Sequence, residues 1–361
     1  MKILFAGGGT AGHVEPALAV ARAWKLAHPE DVISFLGTSH GLENSLVPAA
    51  GFTLLHIPRV AISRKLSFSL LKVPFQLIAS ISATRTILKD VDCAVGFGGY
   101  VSGPLYIAAF LTRTPFVIHE QNAHPGWANR LGARLTKYVA LSFPVSNREF
   151  AGGALTGLPL RADVLTALST ANGDWSRARF EAKSAISSRY GFNPESPLIF
   201  IFGGSQGSQA INQVISESLQ VLSEKGISIL HGVGKNNPIP EPSDSYRALP
   251  YIEDMAHCYL AADLLISRSG AVTCVEAKAL SRYSLFIPLP IGNGEQALNA
   301  TELVQAGRAR IVTQSDFTSQ WLLANCDSLL QESSTRSPEG DSSGAEAADK
   351  IVKMIERAAG K

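Results

Sequence analysis

The chain has 361 residues, 46% of them hydrophobic and 17% charged, with a formal net charge of +2. Low charge with high hydrophobicity excludes a disordered chain, and the length allows two or three domains, each with a core of its own. Four scattered cysteines, Cys93, Cys258, Cys274 and Cys326, show no CxxC or His–Cys spacing. That excludes a zinc ribbon and a disulfide scaffold and fits a reducing compartment. The charge is uneven: residues 1–160 hold 14 Lys and Arg against 8 Asp and Glu, and residues 161–361 hold 18 against 22. The first half is therefore the one expected to approach something anionic.

Short apolar runs alternate with helical spacing. Strands are predicted at Ile3–Ala6, Val32–Leu36, Thr53–Ile57, Cys93–Phe97, Pro115–His119 and Tyr138–Leu141. In the second half they fall at Leu198–Phe202, Ser228–Gly232, Leu264–Ser267 and Ser284–Pro288. Ala17, Val20, Ala21 and Trp24 are spaced for a helix with Pro16 in its first turn. Ile211, Val214, Ile215, Leu219 and Leu222 mark another. Ile3–Ala6 runs straight into glycines, unlike a secretory leader. Cys93–Leu111 is 19 residues without a charge, long enough to span a bilayer. Gly96, Gly98, Gly99, Gly103 and Pro104 interrupt it, so it reads as strand, glycine loop and helix. Ser169–Pro197 is polar and lacks a strand pattern, and it is expected to hold the connection with a helix or two. Gln331–Ala345 is expected to be a mobile loop, and Ala347–Ala359 a closing amphipathic helix.

Strands alternating with helices imply parallel sheets covered on both faces. The expected fold class is α/β, with two doubly wound, Rossmann-like domains. They are placed at residues 1–160 and 161–345, followed by a closing helix at 346–361.

Each half opens with a strand, a glycine loop and a helix. The first loop is Gly7-Gly8-Gly9-Thr10-Ala11-Gly12-His13 and the second Gly203-Gly204-Ser205-Gln206-Gly207-Ser208. Glycines allow close backbone approach, and a helix N-terminus offers free N–H groups and a positive dipole end to phosphate. Gly7, Gly9 and Gly12 satisfy GxGxxG, but no acid ends the second strand, where a dinucleotide reader needs one. A Walker lysine is absent after either loop. Further polar clusters follow other strands: Gly96–Pro104, His119–Asn122, Gly157–Arg161, Arg268–Ala271 with Glu276, and Gly292–Asn299. All are expected to converge on one cleft, because ligands of open α/β sheets bind beyond the carboxyl ends of the strands. His119 reads as structural. His13, inside a glycine loop, reads as ligand-facing. No acidic pair or His/Asp cluster suggests a protein-held metal.

Residues 59–89 suggest a membrane surface. Leu70, Leu71, Phe75 and Ile78 lie among Lys65, Lys72 and four further cations, with no acid before Asp90. Apolar residues ringed by cations suit an anionic bilayer. Pro74 would break or start a helix there.

Together GGGTAGHVEP, GFGGYVSGP, HEQNAHPGWANR, GLPLR, FGGSQGS, YIEDM, RSGAVTCVEA and GNGEQALNA resemble the MurG family, in family order over about residues 2–312. These are peripheral membrane glycosyltransferases of peptidoglycan synthesis. The resemblance implies a GT-B fold. It also implies inverting transfer of GlcNAc from UDP-GlcNAc to the 4-hydroxyl of MurNAc in lipid I, giving lipid II at the cytoplasmic face of the cell membrane. For the donor it implies Ser205, Gln206 and Gly207 at the diphosphate, Ile252 at uracil, Glu276 at ribose, Gln296 and Asn299 at the sugar, and Arg161 as countercharge. Thr10, Ala11, Gly12, His13 and Asn122 would face the reacting sugar. Gly8, Gly9, Gly98, Gly99, Tyr100 and Ser102 would meet the acceptor. His13 is the first choice of general base and Glu120 the second. Expected partners are UDP-GlcNAc, the undecaprenyl-linked acceptor and anionic lipid, with no nucleic acid. No tightly bound cofactor is expected, and Mg²⁺ only as an aid in assays. The chain departs from the pattern at Glu295 and Leu158, where the family often has His or Gln and Asn. Competing readings are another nucleotide-sugar transferase, an epimerase-like enzyme, an oxidoreductase and a binding module.

Overall fold

The computed structural model describes residues 1–60, 72–171, 173–290 and 294–360. These form two compact units, Met1–Arg161 with Ala345–Lys361, and Ala162–Gly344.

The first unit holds strands β1 (Lys2–Ala6), β2 (Val32–Gly37), β3 (Thr53–His56), β4 (Cys93–Gly96), β5 (Phe116–Glu120), β6 (Val139–Leu141) and β7 (Ala154–Leu155). Its helices are α1 (Ala11–Ala27), α2 (Glu43–Ala49), α3 (Val73–Leu88), α4 (Ser102–Thr112) and α5 (Trp127–Gly132). The sheet runs in the order β3-β2-β1-β4-β5-β6-β7 and is parallel at every pairing. β1 and β4 sit at its centre, buried on both faces from Ile3 to Ala6 and from Cys93 to Gly96, which is why they read as unbroken apolar runs.

The second unit holds α6 (Ala162–Ala171), α7 (Trp175–Tyr190), β8 (Leu198–Phe202), α8 (Gln209–Glu224), β9 (Ser228–Gly232), β10 (Tyr246–Leu249) and α9 (Met255–Ala261). It continues with β11 (Leu264–Ser267), α10 (Ala271–Ala279), β12 (Ser284–Phe286), α11 (Glu295–Asn299), α12 (Thr301–Gln305), β13 (Ala309–Ile311) and α13 (Ser319–Ser334). Its sheet order is β10-β9-β8-β11-β12-β13, again parallel at every pairing. In both sheets the strand order reverses once, beside β1 and β4 or beside β8 and β11. Such a reversal opens a crevice at the carboxyl ends of the strands.

Two expectations need correction. The helix after the first glycine loop begins at Ala11, so Pro16 lies beyond its first turn. Proline has no N–H, and the Gly12 carbonyl is left without its helical donor. The stretch 331–345 is also not a free loop. α13 continues to Ser334, and the following residues are tied down. Asp341 N–H donates to the Ala279 carbonyl at 3.0 Å, and the Ser281 hydroxyl donates to the Ser337 carbonyl at 2.7 Å. The uncharged stretch 93–111 divides into β4, a loop and α4.

The last helix, α14 (Ala347–Ala359), packs into the first unit. Ile351, Val352, Met354, Ile355 and Ala358 join Ile3, Phe5, Val14, Leu18 and Trp24 in one buried cluster. His28 Nε2 meets Glu356 at 2.8 Å, and the Tyr138 hydroxyl donates to the Arg357 carbonyl at 3.2 Å. Ile355 is fully buried there. Ile355→Ala is expected to cost about 2–5 kcal/mol from lost burial and a residual cavity. The check is the urea midpoint of the intact chain, and an unchanged midpoint would mean that α14 adds nothing to this core.

Candidate active site

In the first unit the loops after β1 and β4 meet. Gly99 has φ +78°, and a Cβ on it would lie 2.6 Å from the Gly8 carbonyl oxygen. Only glycine permits that approach. Residues 98–101 lead into α4, where the Ser102 hydroxyl is buried and donates to the Gly98 carbonyl at 2.7 Å. Pro104 supplies no N–H, so Ser102 and Gly103 carry the orphan donors of α4's first turn.

His13 lies against this loop, half-buried on α1. Its Nδ1 is 2.9 Å from the Phe97 carbonyl oxygen and 2.8 Å from the Gln121 side-chain amide. The Phe97 carbonyl only accepts and calls for the ring proton on Nδ1, whereas the Gln121 Nε2–H donates and calls for a lone pair there, so each tautomer satisfies one of the two partners. Burial, partly offset by the Phe97 carbonyl and the charge of Glu43, holds the His13 pKa below the usual imidazole value. The result is a neutral imidazole held against the loop. Thr10, before it, is exposed, and Ala11 and Gly12 are half-buried.

Glu120 is buried and its oxygens are occupied. Oε1 accepts from the Asn122 N–H at 2.9 Å, and Oε2 accepts from Asn129 Nδ2 at 2.9 Å and the Gly126 N–H at 3.1 Å. Burial raises its pKa and these bonds oppose the rise. The carboxylate thus staples the 121–126 loop and fixes Asn122. His119 is fully buried, with Nε2 3.0 Å from the Ser142 hydroxyl and 3.3 Å from the Gly157 carbonyl. Burial pushes its pKa down to about 4, which makes it a neutral structural group.

Sequence reasoning missed Glu43. It is fully buried in the first turn of α2. Its carboxylate accepts the Gly9 N–H at 2.9 Å and the Tyr100 hydroxyl, and the Thr38 Oγ1 lies 3.1 Å from that hydroxyl. Burial first, then Glu43, pushes the Tyr100 pKa up to about 12. A carboxylate beneath Gly9 takes the N–H that a phosphate would want and repels an anion there. The clue in the sequence was an acid six residues beyond the end of β2 rather than directly after it.

In the second unit Ser205 is half-buried, Gln206 exposed and Gly207 half-buried between β8 and α8. Gly207 has φ +75°, and a side chain there would collide with the Val233 carbonyl. Asn237 Nδ2 donates to the Gln206 carbonyl at 3.1 Å and the Val233 carbonyl at 2.9 Å, fixing the loop. Ser208 caps α8 by accepting from the Ile211 N–H. Arg268 is buried behind it. Nη2 donates to the Ser208 hydroxyl at 2.8 Å and Gln314 Oε1 at 2.6 Å, and Nη1 to the Ile287 and Pro288 carbonyls at 2.9 and 3.1 Å. These acceptors are all neutral, so the full positive charge stays beside the glycine loop. Burial lowers its pKa from the usual guanidinium value.

The other donor candidates also follow strands. Ile252 is buried after β10. Glu276 is buried on α10. Asn299 is buried at the end of α11, with Nδ2 3.4 Å from the Ser269 carbonyl. Gln296 Oε1 accepts from the Leu289 N–H at 2.9 Å. All lie on the carboxyl side of the six-stranded sheet. Arg161 closes the first unit and is half-buried.

Lys72 precedes α3, and Pro74 starts the helix. Phe75 is 75% exposed and Ile78 64% exposed. Lys65, Leu70 and Leu71 lie outside the described residues. Among the described residues no helix is long and apolar enough to cross a membrane.

Two Rossmann-like units of parallel strands, each with a glycine loop at its strand-order reversal, have the architecture of GT-B glycosyltransferases. Residues 3–141 match the glycosyltransferase family 28 N-terminal domain, and residues 198–355 the glycosyltransferase family 28 C-terminal domain. The chain belongs to glycosyltransferase family 28. A protein of Thermobifida fusca is 43% identical over 99% of this chain and 89% of its own length. One from Corynebacterium glutamicum is 43% identical over 93% of this chain and 92% of its own. Both are named UDP-N-acetylglucosamine–N-acetylmuramyl-(pentapeptide) pyrophosphoryl-undecaprenol N-acetylglucosamine transferase. The crystal structure of Acinetobacter baumannii MurG superposes with a TM-score of 0.67 at 28% identity, covering 99% of each chain. A UDP-GlcNAc 2-epimerase from Neisseria meningitidis shares the fold, with a TM-score of 0.67 at 15% identity over 99% of this chain and 100% of its own.

Glu43→Ala leaves the Gly9 N–H and the Tyr100 hydroxyl without their carboxylate. It is expected to destabilise the first unit by about 1–3 kcal/mol. Tyr100→Phe should cost less, because Glu43 keeps the Gly9 N–H. Denaturant unfolding of the two variants tests this order, and equal midpoints would remove Glu43 from the loop's support.

Proposed function

We propose that the protein transfers GlcNAc from UDP-GlcNAc to the 4-hydroxyl of the MurNAc residue in undecaprenyl-pyrophosphoryl-MurNAc-pentapeptide, with inversion from the α donor to the β product. The observation that carries this reading is the 43% identity, along 99% of the chain, to a protein named for that transfer. The first unit supplies the acceptor side and the base, and the second holds the donor.

His13 Nε2 removes the proton of the acceptor hydroxyl as that oxygen attacks C1 of GlcNAc. The C1–O bond to UDP breaks on the opposite face, and its electron pair leaves on the β-phosphate. Gly204, Ser205, Gln206 and Gly207 meet the growing phosphate charge with backbone N–H groups, a hydroxyl and the N-terminus of α8. Arg268 adds its buried positive charge from behind Ser208, and Arg161 adds a second countercharge. Ile252 contacts uracil through its backbone, the Glu276 carboxylate accepts from the ribose hydroxyls, and Gln296 and Asn299 read the sugar. Gly98, Gly99, Tyr100 and the first turn of α4 seat the acceptor pyrophosphate. Thr10, Ala11, Gly12 and Asn122 line the reacting sugar, with Asn122 held by Glu120. Gly8 shapes the loop floor. Lys72, Phe75 and Ile78 rest on the anionic cytoplasmic face of the membrane, where the acceptor resides.

Incubation with UDP-GlcNAc and a soluble lipid I analogue, followed by mass analysis, is expected to give UDP and disaccharide together. UDP or ManNAc released without acceptor would favour epimerase-like chemistry. His13→Ala should lower kcat by roughly 10²–10⁴-fold. The base must be neutral, and its pKa is lowered, so wild-type kcat/KM should fall with acid only below about pH 6.5. The variant should lack that limb. Near-normal turnover of His13→Ala would end the assignment.

The membrane reading is tested by flotation with anionic vesicles. Lys65→Glu with Lys72→Glu should weaken binding, and binding unaltered by the double change would reject the patch.

A further inference from the structure

The His13 ring is approached at one nitrogen by two groups of opposite kind. Nδ1 is 2.9 Å from the Phe97 carbonyl oxygen, which only accepts, and 2.8 Å from Gln121 Nε2, which only donates. Both cannot be satisfied as they stand, and only one of them can move. Phe97 presents main chain, fixed where β4 runs into its loop, because its own N–H donates to the Ala6 carbonyl at 2.7 Å. The Gln121 amide can turn half a circle about its last torsion, which exchanges Nε2 for Oε1 with little change of shape.

Nothing holds that amide from behind. Gln121 is buried directly after β5, and its Oε1 is buried with no hydrogen-bond partner. The amide lies under the first turn of α1, where a Cβ on Gly12 would stand 4.0 Å from Nε2. Its orientation is therefore decided at the His13 ring. With Oε1 turned to the ring, Nδ1–H has two acceptors and Nε2 keeps its lone pair. With Nε2 turned to the ring, Nδ1 must hold the lone pair and the Phe97 carbonyl loses its donor. The ring proton then sits on Nε2, and that nitrogen cannot take another from a hydroxyl.

We propose that Gln121 is the positioning residue of the base: its amide works with Oε1 on Nδ1, which fixes the Nδ1–H tautomer and steadies the imidazolium formed when Nε2 takes the acceptor's proton. The proposal rests on His13 being the general base. The titratable groups around the ring come from three elements. Glu43 of α2 is engaged with the Gly9 N–H and the Tyr100 hydroxyl. Tyr100 of the loop after β4 keeps its proton, with a pKa of about 12. At the end of β5, His119 is neutral and Glu120 is occupied by the Asn122 and Gly126 N–H groups and the Asn129 amide. No carboxylate therefore bonds to Nδ1–H, as the aspartate of a Ser-His-Asp triad does. A neutral amide oxygen takes that place. It orients the ring without adding a full charge, so the imidazole stays deprotonated at neutral pH and ready to accept.

Two variants should move the acid limb of kcat/KM in opposite directions. Gln121→Glu places a carboxylate on Nδ1–H, and an adjacent anion favours the protonated ring, so the limb is expected about one pH unit above wild type. Gln121→Leu removes the acceptor, so the limb is expected about one unit below wild type, with kcat down about tenfold. The KM of UDP-GlcNAc should stay within about twofold in both. In the ¹⁵N spectrum of histidine-labelled wild type, the signal lost in His13→Ala should be that of a neutral ring protonated at Nδ1. On a His13→Ala background, Gln121→Leu should cost less than about twofold more, because a positioning residue has nothing left to position. A His13 ring protonated at Nε2, or a limb that stays or rises in Gln121→Leu, would mean that the amide donates to Nδ1 and would overturn the proposal. A further tenfold loss in the double variant would put Gln121 against substrate and overturn it as well. Near-normal turnover of His13→Ala would instead overturn His13 as the base, and this inference with it.

Discussion

Each sheet reverses its strand order once, and in each unit the glycine loop and the loop that meets it flank that reversal. Helices from neighbouring strands leave toward opposite faces there, so two loops can approach without a helix between them. In the first unit the loops after β1 and β4 approach closely enough that Gly99 must be glycine. In the second the loops after β8 and β11 bring the glycine loop and Arg268 together. The crevice is thus a product of topology, and side chains only furnish it.

The furnishing relies on buried charges that serve neighbours rather than ligands. Glu43 occupies the Gly9 N–H and the Tyr100 hydroxyl. Glu120 collects two backbone N–H groups from the loop that carries Asn122 and the Asn129 amide of α5. Arg268 spends its donors on four neutral oxygens. Each would be costly to bury alone, and each is held by well-formed hydrogen bonds. Their signs differ in effect. The anion under Gly9 disfavours a second anion at the first glycine loop, and the cation behind Ser208 favours one at the second. Two loops with similar sequences are therefore not equivalent seats.

The central strands were legible because burial on both faces writes a continuous apolar run, as in Ile3–Ala6 and Leu198–Phe202. Three strands were not. β7, β10 and β13 lie at sheet edges and are short. One face or both meet solvent, and the pattern dissolves. The glycine loops and the polar clusters after strands were legible because strand ends are punctuated by glycine. Glu43 was not, since it reaches the loop from α2 across space rather than along the chain. His13 could be placed in the first glycine loop, but its contacts with the Phe97 carbonyl, 84 positions away, and with Gln121 could not be read from spacing. The amphipathic pattern of α14 was plain, yet its destination was not, because periodicity says that a face is buried and not against what.

That destination bears on how the chain is made. The apolar surface formed by Ile3, Val14, Leu18 and Trp24 is synthesised first, and the helix that covers it emerges after the whole second unit. At about 5–20 residues per second the delay is on the order of ten to forty seconds. During that interval the second unit can fold as a self-contained insertion, whereas the first waits on the ribosome with part of its core open. Vectorial synthesis therefore leaves the first unit to complete its core after the second has been made.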